Sequence, residues 1–83
     1  MMRVRLEFFG RFSDVQQGRD AELPAEVSTV DALSRWLGQE DEDFAALLER
    51  TGNSIVRNGV ICRGDDAVSD GDEIAFLSPL SGG

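Results

Sequence analysis

The residues of this chain that could do chemistry stand at its carboxyl end, in the segment Ser78-Pro79-Leu80-Ser81-Gly82-Gly83. The last two glycines have no Cβ, so they can be drawn extended through a channel that is too narrow for side chains. Only the terminal carboxylate would then reach an active site. Pro79 has a fixed φ and favours extended conformations at Ser78, which stiffens the base of the segment. The pattern indicates a carboxyl terminus presented to an active site, with a frayed end of no function as the alternative.

The rest of the chain lacks the side chains that most enzyme sites need. The sequence contains no His, Tyr or Lys, and all eight of its basic residues are Arg. Imidazole is the commonest general base and metal ligand, so both roles lose their usual residue. The single Cys62 has no imidazole to activate it, and its position favours a small, partly buried residue over a reactive thiol. We therefore expect no self-contained enzyme site.

Two acidic clusters resemble metal sites in composition only. Residues 40–43 are all acidic and precede an expected helix, where negative charge is favoured by the positive end of the helix dipole. Asp70-Gly71-Asp72 lacks the spacing and the distant Glu ligand of a calcium loop, so a turn is the favoured interpretation. The sequence predicts no metal site.

The composition predicts one small acidic domain. The chain has 83 residues and a formal net charge of −8, with sixteen acidic residues against eight basic ones. Such a surface repels phosphate backbones, which argues against nucleic acid, whereas a basic groove on another protein would attract it. No run approaches the ~18 apolar residues of a membrane span, and the opening residues lack the apolar core of a signal peptide. We expect a cytoplasmic protein without membrane contact.

Apolar patterns predict strands near both ends of the chain. Apolar and charged residues alternate over positions 3–9, and an apolar strand over 73–77 places Ile74 and Phe76 on one face with Ala75 and Leu77 on the other. Residues 10–18 show little apolar pattern and are expected to form a loop. Residues 21–27 also alternate, and Pro24 confines this second strand to a sheet edge. The first two strands should pair as an antiparallel hairpin.

Helices and a second hairpin are expected between these strands. Ser28 or Thr29 can cap a main helix that stops at Gly38. A shorter apolar face that begins at Phe44 predicts a second helical segment. Asn58-Gly59 lies between two apolar runs and is the strongest short signal for a tight hairpin turn.

This element order favours helices packed on one face of a mixed sheet. The expected core consists of Val4, Leu6, Phe8, Leu23, Val30, Leu33, Leu37, Ile55, Ile74 and Phe76. The other face of the sheet keeps Phe9, Leu77 and Leu80 as exposed apolar residues near the tail. We expect this face to contact a partner.

Three segments carry a resemblance to a known family: Val4-Arg5-Leu6-Glu7-Phe8-Phe9, Ser28-Thr29-Val30-Asp31-Ala32-Leu33, and Ser69-Asp70-Gly71-Asp72-Glu73-Ile74-Ala75-Phe76 leading to Gly82-Gly83. Over nearly its whole length the chain resembles the MoaD/ThiS sulfur carriers, a branch of the ubiquitin-like proteins. The resemblance implies an α+β, β-grasp fold, with a mixed sheet of about five strands, one main helix and a second short helix on one face. Residues 1–77 would form the domain and residues 78–83 a flexible tail.

The resemblance also implies a function. An E1-like enzyme of this family uses ATP to adenylate the terminal glycine, sulfur from a persulfide displaces AMP, and the carrier leaves as a thiocarboxylate. The large subunit of molybdopterin synthase then takes the tail into its active site, where sulfur passes to the dithiolene of molybdopterin. Gly83 would carry this chemistry, Gly82 would give clearance, and Ser78, Pro79, Leu80 and Ser81 would thread the channel. The chain itself would bind no cofactor, because ATP is used by the activating partner.

The residues leave other functions open. The same terminal chemistry serves carriers for thiamine, for cysteine and for tRNA thiolation. A ubiquitin-like modifier would instead join Gly83 to lysines of other proteins. A plain β-grasp interaction module would have an incidental tail.

Overall fold

A computed structural model describes residues 2–79 of the chain. Its elements are β1 (Met2–Phe9), a 3-10 helix (Gly10–Asp14), β2 (Arg19–Leu23), α1 (Val30–Gly38), α2 (Glu42–Leu48), β3 (Ser54–Arg57), β4 (Val60–Ile61) and β5 (Glu73–Leu77). The strands form one sheet in the order β2-β1-β5-β3-β4. The central pair of β1 and β5 is parallel and the other neighbours are antiparallel, which makes the sheet mixed. The predicted α+β, β-grasp architecture is confirmed.

The central strands are held by one apolar face. Alternate residues of β1 and β5 are buried, namely Val4, Leu6, Phe8, Ile74 and Phe76. The parallel register sets Leu6 beside Ile74 and Phe8 beside Phe76, so the two strands present their apolar side chains to the helices together. Burying such side chains is the main source of the domain's stability.

Both helices begin at the residue types that the sequence suggested. The side chain of Thr29 accepts a hydrogen bond from the N–H of Ala32 at 3.1 Å, and α1 ends at Gly38 as expected. Asp41 caps α2 by accepting from the N–H of Phe44 at 2.9 Å, and two further acids occupy its first turn. The interpretation of the acidic run as a helix start is confirmed. No helix within residues 2–79 has the length and apolarity to cross a membrane.

The centre of the core is a cluster of phenylalanine rings, Phe8, Phe12, Phe44 and Phe76, with centroids 5.4 to 6.0 Å apart in the contacting pairs. Phe12 lies in the segment predicted as a loop, and that prediction was wrong. The segment begins with a 3-10 helix that turns the fully buried Phe12 ring inward. Ile55, which was assigned to the core, is only partly buried and packs against it.

The second strand is shorter than predicted. It ends at Leu23, and Pro24 instead begins a turn in which its carbonyl accepts from the N–H of Val27 at 3.0 Å. Proline has no N–H for a sheet ladder, which explains why the strand stops there although the apolar alternation continues. The predicted hairpin with β1 and the predicted edge position of β2 are both confirmed.

The second hairpin follows the Asn-Gly signal. Asn58 and Gly59 both have positive φ, 51° and 82°, as a two-residue hairpin turn requires. The turn pairs Arg57 with Val60 and Val56 with Ile61. The face on which each of these side chains lies is thereby fixed.

Candidate functional site

The tail leaves the sheet from its centre. β5 lies between β1 and β3, and the first two tail residues, Ser78 and Pro79, follow it directly. The predicted functional residues Leu80, Ser81, Gly82 and Gly83 lie outside the described residues. Their roles and the predicted boundary at residue 78 therefore stay predictions, and the candidate site consists of the surface from which the tail departs.

An apolar patch covers part of the sheet face opposite the helices, beside Glu7 of β1. Residues that are directly paired in neighbouring strands have their side chains on the same face. The register places Phe9 beside Leu77, and it sets Ala75, Val56 and Ile61 in one row across β5, β3 and β4. These five residues form what we call the open-face patch, and the tail leaves from its edge at Leu77.

The open-face patch includes Phe9 and Leu77, the two predicted apolar contact residues that the structure describes, while the predicted contact residues Ser78 and Pro79 follow it in the tail. Phe9 is 50% exposed and Leu77 is partly buried. Ile61 is 72% exposed and was not anticipated as part of this face.

Two registers are needed to place Ile61 on this face. The Asn-Gly turn in the sequence indicates the first, because it pairs Ile61 with Val56. The second is the register of β3 against β5, which depends on a pairing between residues far apart in sequence.

The neighbouring Val60 is also exposed but lies on the other face. Its relative exposure is 68%, and it pairs with Arg57 rather than with Val56. Successive side chains of a strand alternate between faces, so Val60 and Ile61 are two exposed apolar residues of which only Ile61 belongs to the patch.

The other end of the same face is charged. Arg3 and Glu22 approach to 2.7 Å between β1 and β2, and Arg5 and Asp20 to 3.6 Å. The four side chains are between 46% and 65% exposed, and such pairs contribute little to stability. They divide the face into a charged end and an apolar end, with the tail at the apolar end.

The start of β5 is fixed by Asp72, a carboxylate that is only 6% exposed. Arg57 Nε donates to it at 2.8 Å, Asn58 Nδ2 at 2.9 Å and the N–H of Ser69 at 2.8 Å. Burial alone would raise the pKa of Asp72, but these three donors outweigh it, so the pKa is lowered. The same contact raises the pKa of Arg57, first through its hydrogen bond to Asp72 and then through their opposite charges.

The Asp72 cluster has a structural role. Asn58 also accepts from the N–H of Glu73 at 2.9 Å, so the hairpin turn and the start of β5 are joined directly. Gly71 has a φ of 87°, and the interpretation of Asp70-Gly71-Asp72 as a turn is confirmed. Within residues 2–79 no group of three or more His, Cys, Asp or Glu residues is placed to hold a metal ion.

Cys62 is not arranged for nucleophilic chemistry. It is partly buried, as expected, and its Sγ donates to the carbonyl of Ile55 at 3.3 Å. Burial raises the pKa of the Cys62 thiol, and the nearby charge of Asp66 raises it further. Because the thiolate is the reactive form, this environment disfavours reaction.

Comparisons with known proteins agree with this architecture. The molybdopterin synthase sulfur carrier subunit of Haemophilus influenzae is 34% identical over 67 residues, which cover 80% of this chain and 83% of that protein. The subunit of the same name from Escherichia coli is 28% identical over 80 residues, covering 96% of this chain and 99% of that protein.

A chain of similar fold is also present in a solved two-subunit complex. A complex of subunits 1 and 2 of the molybdopterin-converting factor from Helicobacter pylori contains a chain with a TM-score of 0.70 and 25% identity. The match covers 99% of this chain and all of that one. The sequence profile of the ThiS family matches residues 6–83, which include the terminal glycines. The chain belongs to the ThiS family.

Proposed function

We propose that this protein is the sulfur carrier subunit of a molybdopterin synthase, and that the carboxyl group of Gly83 carries the sulfur. The observation that carries the proposal is the family match, which runs through the terminal Gly82-Gly83. The two relatives named as molybdopterin synthase sulfur carrier subunits favour this pathway over thiamine, cysteine or tRNA thiolation. The acidic domain would present the tail, while partners supply the catalytic groups.

Activation of the terminal carboxylate requires ATP. A terminal carboxyl group has a pKa of about 3.3–3.7, so at neutral pH it is an anion and a poor acyl donor. Its oxygen attacks the α-phosphorus of ATP, pyrophosphate leaves, and an acyl adenylate forms at Gly83. The E1-like enzyme binds this ATP, and the carrier needs no cofactor of its own.

Sulfur then replaces the activated oxygen. The terminal sulfur of a persulfide attacks the acyl carbon and AMP leaves, which gives an acyl disulfide. A thiol cleaves its S–S bond, so the persulfide sulfur stays on Gly83 as a thiocarboxylate and the two remaining sulfurs form a disulfide. The large subunit of the synthase receives this thiocarboxylate for dithiolene formation. The raised pKa of Cys62 makes it a poor internal competitor for the activated terminus.

The open-face patch would dock the partners. It lies at the base of the tail, and it combines exposed apolar side chains with a charged border. A partner that covers it while receiving the tail would bury Phe9 and Ile61 together. The net charge of −8 would steer the chain toward a basic groove.

The carrier chemistry is tested by intact mass. The protein is incubated with its E1-like enzyme, ATP and a persulfide donor, and one terminal oxygen should be exchanged for sulfur. Deletion of Gly83 should abolish the exchange while the circular dichroism spectrum stays unchanged, because no core residue is removed. A wild-type chain that gains no sulfur would contradict the proposal. Lysine-linked conjugates in cell extract would indicate a modifier, and full function without the tail a plain interaction module.

The docking surface has a matched control within one strand. Ile61→Ser should weaken binding to the large subunit by about tenfold, since a buried apolar anchor is lost at an interface. Val60→Ser removes an equally exposed apolar side chain from the other face and should change the affinity by less than about twofold. Calorimetry measures both affinities. Equal losses of affinity in the two variants would rule out the open-face patch as the docking surface.

A further inference from the structure

The first two tail residues lie between two glycines from different segments, Gly10 at the start of the 3-10 helix and Gly52 in the turn before β3. Phe9 pairs with Leu77 in the parallel register, so Gly10 and Ser78 lie side by side as the two chains leave the sheet. On the other side Ser54 pairs with Leu77 in the antiparallel register, which sets Gly52 beside Pro79. Each glycine thus flanks one residue of the tail base.

Neither glycine has room for a side chain. A Cβ on Gly10 would overlap Ser78 Oγ, and a Cβ on Gly52 would lie 2.7 Å from Pro79 Cγ. Both glycines also have positive φ, 64° and 88°, a backbone conformation that side chains disfavour. The tail base therefore occupies the space that two side chains would fill.

The atoms that meet the glycines are not free to move away. Ser78 Oγ accepts a hydrogen bond from the N–H of Arg11 at 2.7 Å, and rotation of the side chain would break it. The ring of Pro79 is fixed to the backbone and cannot turn about a side-chain bond. A Cβ on Gly52 would therefore have to displace the tail backbone or the turn that carries Gly52, and a Cβ on Gly10 would at least break the hydrogen bond that holds Ser78.

We propose that Gly10 and Gly52 form a collar that sets the direction in which the tail leaves the domain, and that they are positioning residues for activation of Gly83. The inference rests on the sulfur-carrier function proposed above. If the tail already has the direction that the activating enzyme requires, every carrier molecule is competent to bind. A chain whose tail has the productive direction only part of the time has its apparent affinity reduced by that fraction.

The chain supplies a matched control for backbone strain. Gly71 has a φ of 87°, close to that of Gly52, but a Cβ there would meet nothing within 4 Å. Gly71→Ala therefore introduces the same left-handed strain without touching the tail. Gly52→Ala introduces the strain together with the contact to Pro79. The difference in KM between the two variants therefore reports the contact with Pro79 alone.

The kinetic test measures sulfur loading of the full chain by its E1-like enzyme. Gly10→Ala and Gly52→Ala should each raise the KM for the carrier by about tenfold with kcat unchanged, because only the fraction of productive tails falls. Gly71→Ala should stay within about twofold of wild type. Ser78→Ala in the Gly10→Ala background should restore part of the loss, since it removes the clashing Oγ. Equal KM values for Gly52→Ala and Gly71→Ala would overturn the collar.

A second measurement does not depend on activity. The heteronuclear {1H}–15N NOE of the Ser78 amide should be close to that of Leu77 in wild type and in Gly71→Ala, and lower in Gly10→Ala and Gly52→Ala. If wild type is not loaded with sulfur, the proposed function fails and this NOE still decides the collar. If wild type is loaded but all three variants share one NOE, the collar alone is wrong. Gly52→Ala decides the test if Gly10→Ala does not fold.

Discussion

The two ends of β5 are held in opposite ways. At its start, Asp72 is buried and accepts hydrogen bonds from three donors. At its end, Ser78 and Pro79 pass between Gly10 and Gly52, two residues without side chains, and Ser78 Oγ accepts one backbone hydrogen bond. The start of the strand is fixed by several polar contacts, whereas its end is flanked by two glycines and held by a single hydrogen bond.

This difference separates stability from function along a single strand. Removing a buried acceptor leaves several donors unsatisfied, so changes at the start of β5 should act on the free energy of unfolding. Changes at the end of β5 should act on where the tail points. A carrier needs both, because a rigid strand start is of use to a partner only if the other end delivers the terminus in a constant direction.

The largest expected effect is at the start of the strand. Asp72→Ala should lower the free energy of unfolding by about 3 kcal/mol, because a buried carboxylate with three donors is lost. Asp70→Ala is the control in the same turn. Asp70 is exposed and accepts one bond, from the N–H of Arg3 at 2.8 Å, so the loss should be about 1 kcal/mol. Urea unfolding measures both, and equal losses would show that burial of Asp72 does not matter.

Acid should remove part of the same contribution. The hydrogen bonds that Asp72 accepts hold its pKa below the value of about 3.9 found in unfolded chains. The ionised form therefore stabilises the fold fully above about pH 4, and this stabilisation is lost as the pH falls through the folded pKa. The stability gap between wild type and Asp72→Asn should be constant near neutral pH and narrow in acid. A gap that widens in acid would mean that the folded pKa is raised instead.

The sequence predicted the start of β5 well because its signals are local. An Asp-Gly turn before a short apolar run needs no information from the rest of the chain, and the strand has the predicted bounds. The same holds for the Thr29 cap and the Asn58-Gly59 turn. In each case a few neighbouring residues determine the backbone.

The end of β5 could not be predicted in the same way. Gly10 and Gly52 are ordinary loop glycines in the sequence, and only the pairing of β1 and β3 with β5 brings them to the tail. Phe12 was missed because polar neighbours hide a single inward ring from any periodic pattern. Ile61 required the register of β3 against β5. Contacts between distant residues determine these features, and one sequence does not reveal them.

The glycines on either side of β5, Gly71 before its start and Gly52 beside the tail at its end, should show smaller changes in stability. Gly52→Ala and Gly71→Ala should each lower the free energy of unfolding by about 1–2 kcal/mol, since both impose a positive φ on an alanine. The two losses should agree within about 0.5 kcal/mol if the tail yields to the new Cβ and the domain does not. A larger loss for Gly52→Ala would show that Pro79 is part of the folded core rather than a guided tail residue.

The smallest effect should come from the hydrogen bond within the collar. Ser78→Ala removes the acceptor of the Arg11 N–H and should lower stability by about 0.5–1 kcal/mol. Ser13→Ala is the control, because Ser13 Oγ donates to the carbonyl of Gly10 at 2.7 Å, in the same 3-10 helix as Arg11 but without a hydrogen bond to Ser78. Both variants should lose similar stability in urea, but only Ser78→Ala should lower the NOE of the residue 78 amide. If Ser13→Ala lowers that NOE equally, the 3-10 helix positions the tail as a unit and the Ser78 contact has no separate role.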